Sequence, residues 1–204
     1  MELVVISSVD VSSSKEIEIM KDLFEAGLQT FHLRRPGYDY QKMKEYIQRI
    51  PEEFHDRLVI HSHHKLAKKF NLKGIHLPSK IRKSAFKFWK IRRFILAKKP
   101  NLKVSTSLHH LSHLDDFNPT FNYVFLSPIF DSISKKDYQS GFNEFTLKKG
   151  LEKSSYAVFA LGGVEVDNID KVREYGFVGA ALVGSIWTAT DPVKAFLQIK
   201  EKCK

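Results

Sequence analysis

The sequence predicts an α/β protein with the single-domain fold of a (β/α)8 TIM barrel over residues 1–204. Short runs rich in β-branched and aromatic residues alternate with longer amphipathic segments, which is the pattern of βα units around a parallel sheet. Eight such units fit the chain at about 25 residues each. No linker, low-complexity stretch or charge block divides the sequence, so a single domain is predicted.

Each predicted strand is a short apolar run, and each predicted helix is a segment with apolar residues at helical spacing. The predicted strands are Leu3–Ser7, Thr30–Arg34, Leu58–Ser62, Gly74–Leu77, Lys103–Ser107, Tyr123–Ser127, Ala157–Leu161 and Ala180–Val183. The predicted helices are Ser14–Ala26, Tyr40–Arg49, His64–Phe70, Ser84–Lys98, Leu111–Phe117, Asn143–Leu151, Val166–Tyr175 and Pro192–Lys202. The last helix is marked by Asp191, a capping residue, before a proline at the first helical position.

An open, doubly wound α/β sheet is the main alternative to a barrel. Sheets of that class that bind dinucleotides carry a glycine-rich turn after the first strand. The corresponding turn here is Ser7-Ser8-Val9-Asp10, which contains no glycine. The barrel is therefore the favoured prediction.

The composition indicates a cytoplasmic globular protein without a membrane segment. Hydrophobic residues make up 43% of the chain, which is enough for a sizeable core. No apolar run reaches the roughly 18 residues of a membrane span, and the N-terminal segment carries charge where a secretory signal is apolar. The single cysteine, Cys203, has no partner for an internal disulfide, which agrees with a reducing compartment.

A formal net charge of +10 raises the alternative of a nucleic-acid-binding protein. Basic residues concentrate around the predicted helix 84–98, where Phe88, Ile91 and Ile95 share one face and lysines occupy another. No helix-turn-helix, zinc-finger or aromatic RNA-binding motif accompanies this helix. The sequence therefore predicts a solvated basic face, or one that attracts anionic small molecules, and no nucleic-acid partner.

The active site of such a barrel is built from the carboxyl ends of the strands and the loops that follow them. These positions are polar in this chain, although the strands leading into them are apolar. They are Arg34 and Arg35 after strand 2, His61-Ser62-His63 after strand 3, His76 in strand 4, Ser105 and Ser107 in strand 5, Ser127-Pro128 after strand 6, Gly162-Gly163 after strand 7, and Gly184-Ser185 after strand 8, which ends at Val183.

Gly162-Gly163 and Val183-Gly184-Ser185 lie in the two loops that commonly form a phosphate site in these barrels. Without a Cβ, glycine lets a phosphate oxygen approach main-chain N–H groups, and a following helix N-terminus adds partial positive charge. The alternative is a tight turn that needs glycine at positive φ. Because two neighbouring loops both carry glycine, we predict a phosphate-binding site.

Five segments spread along nearly the whole chain form a recognisable set. They are FHLRR (31–35), LVIHSHHKLAKKFNLKGIHLPSK (58–80), VSTSLHHLSHLDD (104–116), NYVFLSPIFDSISKK (122–136) and AVFALGGVEVDNIDKVREYGFVGAALVGSI (157–186). Together they resemble the thiamine-phosphate synthase/TenI superfamily. The last two are the most specific, because they resemble the family's GPvfpTxTK loop and its GG…N…GaxGvA ending.

In this superfamily the synthase joins hydroxymethylpyrimidine diphosphate to thiazole phosphate and releases pyrophosphate, with Mg²⁺ bridging the leaving group. The resemblance implies a transferase whose basic residues neutralise the departing pyrophosphate. The matching residues are Arg34 and Lys135 as catalytic cations, Ser107 as a pyrophosphate contact, Ser132 and Ser134 as thiazole-phosphate contacts, and His32 at the position of a glutamine that reads the pyrimidine.

The chain departs from the synthase pattern at the residues that hold Mg²⁺. Ser62 and Ile81 stand where the superfamily has its Mg²⁺-binding aspartates, and Pro36 replaces a second pyrophosphate-binding lysine. Gly184 stands at the usual serine of the last loop, with Ser185 one position later. Mg²⁺ is therefore expected as a cofactor only if the synthase reaction is retained.

The TenI branch tautomerises thiazole carboxylate phosphate, a proton transfer that needs no metal. The histidine that this branch uses after strand 6 matches Pro128 here. His61 and His32 end adjacent strands, and imidazoles transfer protons near neutral pH, so His61 is the predicted catalytic substitute. His61 and His63 share one strand face, but no acidic third ligand is apparent, and no metal site is predicted.

Three functions stay open from the sequence. They are synthesis of thiamine phosphate, a TenI-like tautomerase or thiamine-phosphate binder, and a non-catalytic sensor of a phosphorylated ligand. In each case the expected partners are small phosphorylated molecules, thiazole phosphate or thiamine phosphate. The resemblance is also compatible with a homodimer.

Overall fold

Eight parallel strands form a closed barrel in the computed structural model, which describes residues 1–8, 10–130 and 142–204. The strands follow one another around the barrel in chain order. They are β1 (Glu2–Ile6), β2 (Phe31–Leu33), β3 (Leu58–Ile60), β4 (Gly74–Leu77), β5 (Lys103–Leu108), β6 (Tyr123–Leu126), β7 (Val158–Leu161) and β8 (Gly179–Leu182). The predicted (β/α)8 fold is confirmed, and every strand overlaps its predicted range.

Neighbouring strands pair in parallel, as where Phe31 of β2 lies opposite Leu58 of β3. All residues of β2, β3, β4 and β8 are buried, because strands of such a barrel are covered on both faces. Side chains in these four strands are therefore almost all apolar. His32 in β2 and His76 in β4 are the polar exceptions, and both belong to the site described below.

The α-helices of the described ranges are α1 (Ser13–Glu25), α2 (Tyr40–Gln48), α3 (Ser79–Arg82), α4 (Ala85–Phe94), α5 (Glu144–Lys153), α6 (Ile169–Glu174), α7 (Gly184–Trp187) and α8 (Pro192–Lys202). Side chains of Ser12, Asp39, Ser84, Asn143 and Asp191 accept hydrogen bonds from first-turn amides and so fix where five of these helices begin. None of these helices combines the length and apolar character that crossing a membrane requires.

Two of the predicted helices are only short 3-10 turns. The predicted helix His64–Phe70 is a turn over His64–Lys68, and the predicted helix Leu111–Phe117 is a turn over Leu111–Leu114. Neither turn begins with a side-chain cap, and His63 precedes the first one in the left-handed conformation, with a φ of 52°. Conversely, α3 and α7 span one turn each, too short for a periodic pattern to predict.

The chain divides into two compact units. The first unit is Ile6–Thr106, and the second combines Met1–Val5 with Ser107–Lys204. The fully buried side chains of the first unit include Met20, Leu23, Phe24, Phe31, Met43 and Tyr46. Those of the second unit include Phe125, Ile169, Val172 and Phe196. Each unit therefore has apolar side chains of its own packed behind its strands.

Helix α4 in the first unit carries the basic surface that the sequence predicts. Its apolar face packs inward, since Ile95 just beyond the helix is buried and Phe88 and Ile91 are half-buried. Its lysines are exposed. Phe86 and Trp89 are also exposed, which the helical spacing does not predict.

Candidate functional site

Three histidines of the first unit meet where β2, β3 and β4 lie side by side. His32 lies within β2, His61 directly follows β3, and His76 lies within β4. Nδ1 of His32 is 2.9 Å from Nε2 of His61, which is hydrogen-bond distance. The rings of His61 and His76 stack with centroids 4.1 Å apart. We call His32, His61 and His76 the histidine cluster.

The histidine cluster is buried, and its neighbours fix its geometry. His32 and His76 are 0% and 4% exposed, and His61 is half-buried. Nδ1 of His76 lies 3.0 Å from the hydroxyl of Ser105 in β5. Nε2 of His64 donates a hydrogen bond of 2.9 Å to the backbone carbonyl of His76. The ring of His76 is therefore held from two sides, through its side chain and its backbone.

Burial lowers the pKa of the imidazoles in and beside the cluster, because a charged ring would lose its hydration there. Burial is the main reason that the pKa of His76 falls to about 3 and that of His64 to about 4. The pKa values of His32 and His61 fall well below the ordinary value for the same reason, with a further contribution from His76. The four rings are therefore neutral at pH 7, and His61 is a weak base.

Arg34 and Arg35 are adjacent in sequence but have different surroundings. The side chain of Arg34 is exposed, and its positive charge adds to the lowering of the pKa of His61 and of His76. The Arg34 amide donates a hydrogen bond of 3.1 Å to the hydroxyl of Ser7. Arg35 is buried and forms an ion pair of 2.6 Å with Glu16. Of the two guanidinium groups, that of Arg34 is therefore the one that solvent and solutes reach.

Glu16 of α1 is a fully buried carboxylate that was not predicted from the sequence. It pairs with Arg35, accepts a hydrogen bond from the Tyr46 hydroxyl, and accepts one of 2.9 Å from the Ser8 amide. Burial raises the pKa of Glu16, and these donors oppose that shift. The carboxylate therefore joins the loop after β1 to the residue that follows Arg34. An acidic residue in a first helical turn is ordinary, so the pattern gave no signal.

In the second unit, Gly162 and Gly163 form the turn after β7, with φ values of 98° and 65°. A Cβ on Gly162 would lie 3.1 Å from both Cα and Cβ of Pro128. The carbonyl of Gly162 accepts a hydrogen bond of 3.1 Å from the Phe130 amide. The turn and the close approach of Pro128 therefore require glycine at position 162 even without a ligand.

Asn168 fixes the loop that follows the two glycines. Its side-chain oxygen accepts a hydrogen bond of 2.9 Å from the Glu165 amide, and its side-chain nitrogen donates one of 2.7 Å to the Gly163 carbonyl. The loop is thereby closed before α6 begins at Ile169. No role for Asn168 is predicted above, although it is the asparagine of the GG…N pattern, and that spacing is the signal that marks it.

The loop after β8 presents hydrogen-bond donors at its end. Val183, Gly184 and Ser185 are half-buried, and α7 begins at Gly184. The hydroxyl of Ser185 is buried and has no hydrogen-bond partner in the described part of the chain. The amides of Gly163, Gly184 and Ser185 also donate no hydrogen bond to a described residue. An unpaired buried hydroxyl costs about 1–3 kcal/mol, so these donors mark a place for a polar ligand.

The other predicted residues have separate positions. Ser107 is half-buried in β5. Ser132, Ser134 and Lys135 lie outside the described residues. The ring of His63 is held outside the cluster: its Nε2 donates a hydrogen bond of 2.8 Å to the Tyr38 carbonyl. The structure thus brings together His32 and His61 in the first unit, and in the second unit two groups of residues, those after β7 and those after β8.

Comparisons with known proteins agree with this architecture. Residues 3–186 match the family model described as thiamine monophosphate synthase. A thiamine-phosphate synthase from Streptococcus suis is 25% identical over 194 residues, which cover 91% of this chain and 81% of that protein. One from Prochlorococcus marinus is 33% identical over 102 residues, which cover 50% of this chain and only 29% of that relative.

Solved structures of similarly named proteins share the fold. The crystal structure of thiamine phosphate pyrophosphorylase from Bacteroides thetaiotaomicron has a TM-score of 0.79 at 27% identity, covering 100% of this chain and 98% of that one. The Pyrococcus furiosus thiamine phosphate pyrophosphorylase has a TM-score of 0.76 at 20% identity, covering 98% and 94%. Because the family model matches nearly the full length, this chain belongs to the thiamine monophosphate synthase family.

Proposed function

We propose that this protein acts in thiamine biosynthesis and binds a phosphorylated thiazole, thiazole phosphate or thiamine phosphate, through the loops after β7 and β8. The observation that carries the proposal is the buried hydroxyl of Ser185, which has no partner among the residues described. A phosphate oxygen would accept a hydrogen bond from it. Family membership supports the choice of a thiazole as the group that carries the phosphate.

Main-chain donors support an anionic ligand at these loops. The amides of Gly163, Gly184 and Ser185 have no described acceptor, and two of these residues have no Cβ to obstruct a phosphate. Backbone N–H groups in a glycine-rich turn bind anions because their dipoles point at one position. The hydrogen bonds of Asn168 hold Gly163 and Glu165 in that turn.

A second candidate function is transfer of a pyrimidine from its diphosphate to the bound thiazole phosphate. Arg34 favours it, because its guanidinium is exposed and a guanidinium can bind pyrophosphate through two parallel hydrogen bonds. The residues at the superfamily's Mg²⁺ positions do not fit that ion. Ser62 and Ile81 carry no carboxylate, and the histidine cluster offers nitrogen rather than the oxygen that Mg²⁺ prefers.

Ligand binding is tested by calorimetric titration with thiazole phosphate and with the corresponding thiazole alcohol. We expect binding of the phosphate only. Ser185→Ala should weaken it about tenfold, the loss of one hydrogen bond to a charged group. Gly184→Asp should weaken it further through charge repulsion. The control is Thr190→Ala, at an exposed site beyond α7. Equal affinity for the alcohol, or unchanged affinity in Ser185→Ala, would contradict the proposal.

The reaction is tested by incubating the protein with thiazole phosphate and hydroxymethylpyrimidine diphosphate, with Mg²⁺ or with EDTA, and measuring thiamine phosphate. Formation of thiamine phosphate would identify the transferase. Tautomerisation of thiazole carboxylate phosphate in EDTA would identify TenI-like chemistry instead. Binding of thiazole phosphate with neither reaction would identify a non-catalytic sensor.

A further inference from the structure

The histidine cluster has the composition of a transition-metal site. Each of His32, His61 and His76 offers one ring nitrogen, and the three nitrogens all lie within 4.8 Å of one another. His32 and His76 lie in β2 and β4, and His61 directly follows β3 between them, so the pairing of these strands fixes the spacing of the three residues. Imidazole nitrogen is a common ligand for Zn²⁺ and related divalent ions.

The distances are close to those that a bound ion requires. Zn–N bonds of about 2.0–2.1 Å in tetrahedral geometry place two ligand nitrogens about 3.4 Å apart. Nδ1 of His32 and Nε2 of His61 are already 2.9 Å apart. One ring nitrogen of His76 lies within 4.8 Å of the ligand nitrogens of His32 and His61. Its ring is stacked on that of His61, with planes 20° apart, so binding requires the ring of His76 to turn until its nitrogen points at the same ion.

Ser105 supplies the outer contact that metal-binding histidines usually have. Its hydroxyl lies 3.0 Å from Nδ1 of His76, so an ion would be bound by Nε2 of that ring. A hydrogen bond to the second ring nitrogen fixes the tautomer and the orientation of a histidine ligand. Ser105 is fully buried, which makes this contact independent of solvent.

We propose that His32, His61 and His76 bind one divalent transition-metal ion of the zinc type, with Ser105 as the outer-shell partner of His76. Three protein ligands leave one position of a tetrahedral ion open, as in catalytic rather than structural zinc sites. His61 is the half-buried member, so the ion reaches the site from its side.

This proposal does not depend on the proposed function. The phosphate site is argued from Gly163, Gly184 and Ser185, none of which belongs to the cluster. The metal proposal rests on nitrogen ligands that do not suit Mg²⁺, so it also differs from the cofactor of the superfamily's synthase. If the protein binds no metal, the phosphate titrations still test the proposed function. If it binds no phosphate, the metal-binding experiment still tests the histidine cluster.

The experiment uses the untagged, metal-free full chain in equilibrium dialysis against ZnCl₂, with bound metal measured by mass spectrometry. We expect one Zn²⁺ per chain, retained in excess MgCl₂. Reconstitution with Co²⁺ should give the visible d–d absorption of a tetrahedral nitrogen site. No stoichiometric Zn²⁺ binding, or displacement of Zn²⁺ by Mg²⁺, would overturn the proposal without any variant.

Variants locate the site. His61→Ala should weaken Zn²⁺ binding by more than about 100-fold, and Ser105→Ala by about tenfold, as losses of a ligand and of an outer contact do. His63→Ala is the matched control, because its ring bonds the Tyr38 carbonyl, and it should bind Zn²⁺ like the native chain. Retained binding in His61→Ala, or equal loss in His63→Ala, would overturn the assignment. His61→Phe, which keeps the ring volume, replaces His61→Ala if that variant does not fold.

Discussion

The histidine cluster and the loops after β7 and β8 present opposite kinds of polar atom. The cluster offers lone pairs on the neutral rings of His32, His61 and His76, which can accept but carry no charge. The loops offer the N–H groups of Gly163 and Gly184 with the hydroxyl of Ser185, which donate. Lone pairs suit a cation, whereas converging donors suit an anion. The two proposed sites would therefore have opposite preferences, set by which atoms end each strand.

The two regions are also stabilised differently. In the first unit, Arg35, which follows Arg34, forms a buried ion pair with Glu16. The Tyr46 hydroxyl donates a hydrogen bond to the same carboxylate. In the second unit the turn after β7 depends on backbone conformation at Gly162 and on hydrogen bonds from Asn168. Substitutions in the first region should therefore act through charge, and those in the second through backbone geometry.

Glu16→Ala should have the largest effect on stability. It leaves the buried guanidinium of Arg35 without its carboxylate, and breaking one partner of a buried pair costs about 3–5 kcal/mol. The free energy of unfolding in urea measures this loss. Glu144→Ala is the control, because Glu144 forms an exposed ion pair with Lys148 on α5. Similar losses in the two variants would show that burial of the first pair does not matter.

Gly162→Ala should destabilise the protein by about 1–3 kcal/mol, the typical cost of a strained backbone conformation. An alanine there must adopt positive φ and place its Cβ 3.1 Å from Pro128. The measurement is again urea unfolding, with Gly37→Ala as control, since nothing lies within 4 Å of a Cβ at position 37. A Gly162→Ala variant as stable as the native protein would mean that the turn relaxes easily. Backbone conformation at position 162 would then not be what stabilises the second region.

Asn168→Ala should weaken thiazole-phosphate binding about tenfold, or about 1.4 kcal/mol, with a smaller effect on unfolding. The side chain holds the Gly163 carbonyl and the Glu165 amide, so its loss frees the turn whose amides are proposed to bind phosphate. Calorimetric titration measures the affinity. Asp167→Ala, at an exposed neighbouring site, should bind normally. A native affinity in Asn168→Ala would remove the loop from the proposed site.

Lys87→Glu combined with Lys90→Glu should have the smallest effect. Both lysines are exposed on α4, so reversing their charge should change neither the urea midpoint nor the zinc stoichiometry. Titration of random duplex DNA at physiological salt should show no binding by the native chain. Salt-sensitive DNA binding that the double variant loses would instead show that this face of the first unit has a nucleic-acid partner.

Apolar pattern predicted the strands well because each one is a short buried run whose ends carry polar residues. It was less successful for His64–Phe70 and Leu111–Phe117, since an amphipathic pattern indicates which residues are buried but not whether a full α-helix forms. The single-turn helices α3 and α7 are too short to produce a period. Local capping and tertiary packing decide such segments.

The site was predictable as a set of strand ends, but its internal contacts were not. The resemblance assigned a role to His32, and His61 was selected because the two residues end adjacent predicted strands, whereas their contact with His76 depends on the register of β2, β3 and β4. Glu16 was missed because its partners, Arg35, the Tyr46 hydroxyl and the Ser8 amide, come together only in the folded chain. Asn168 is marked by the GG…N spacing, but that spacing does not show that its side chain bonds the Gly163 carbonyl and the Glu165 amide.

Each unit carries one of the chain's two tryptophans, Trp89 exposed on α4 and Trp187 half-buried on α7, two residues beyond Ser185. The indole at position 187 is thus an intrinsic fluorophore on the same short helix as Ser185. With Trp89→Phe as background, its emission would report occupancy of that site without any label. A complementary Trp187→Phe protein would keep the signal of Trp89 in the other compact unit, giving an optical readout for each unit.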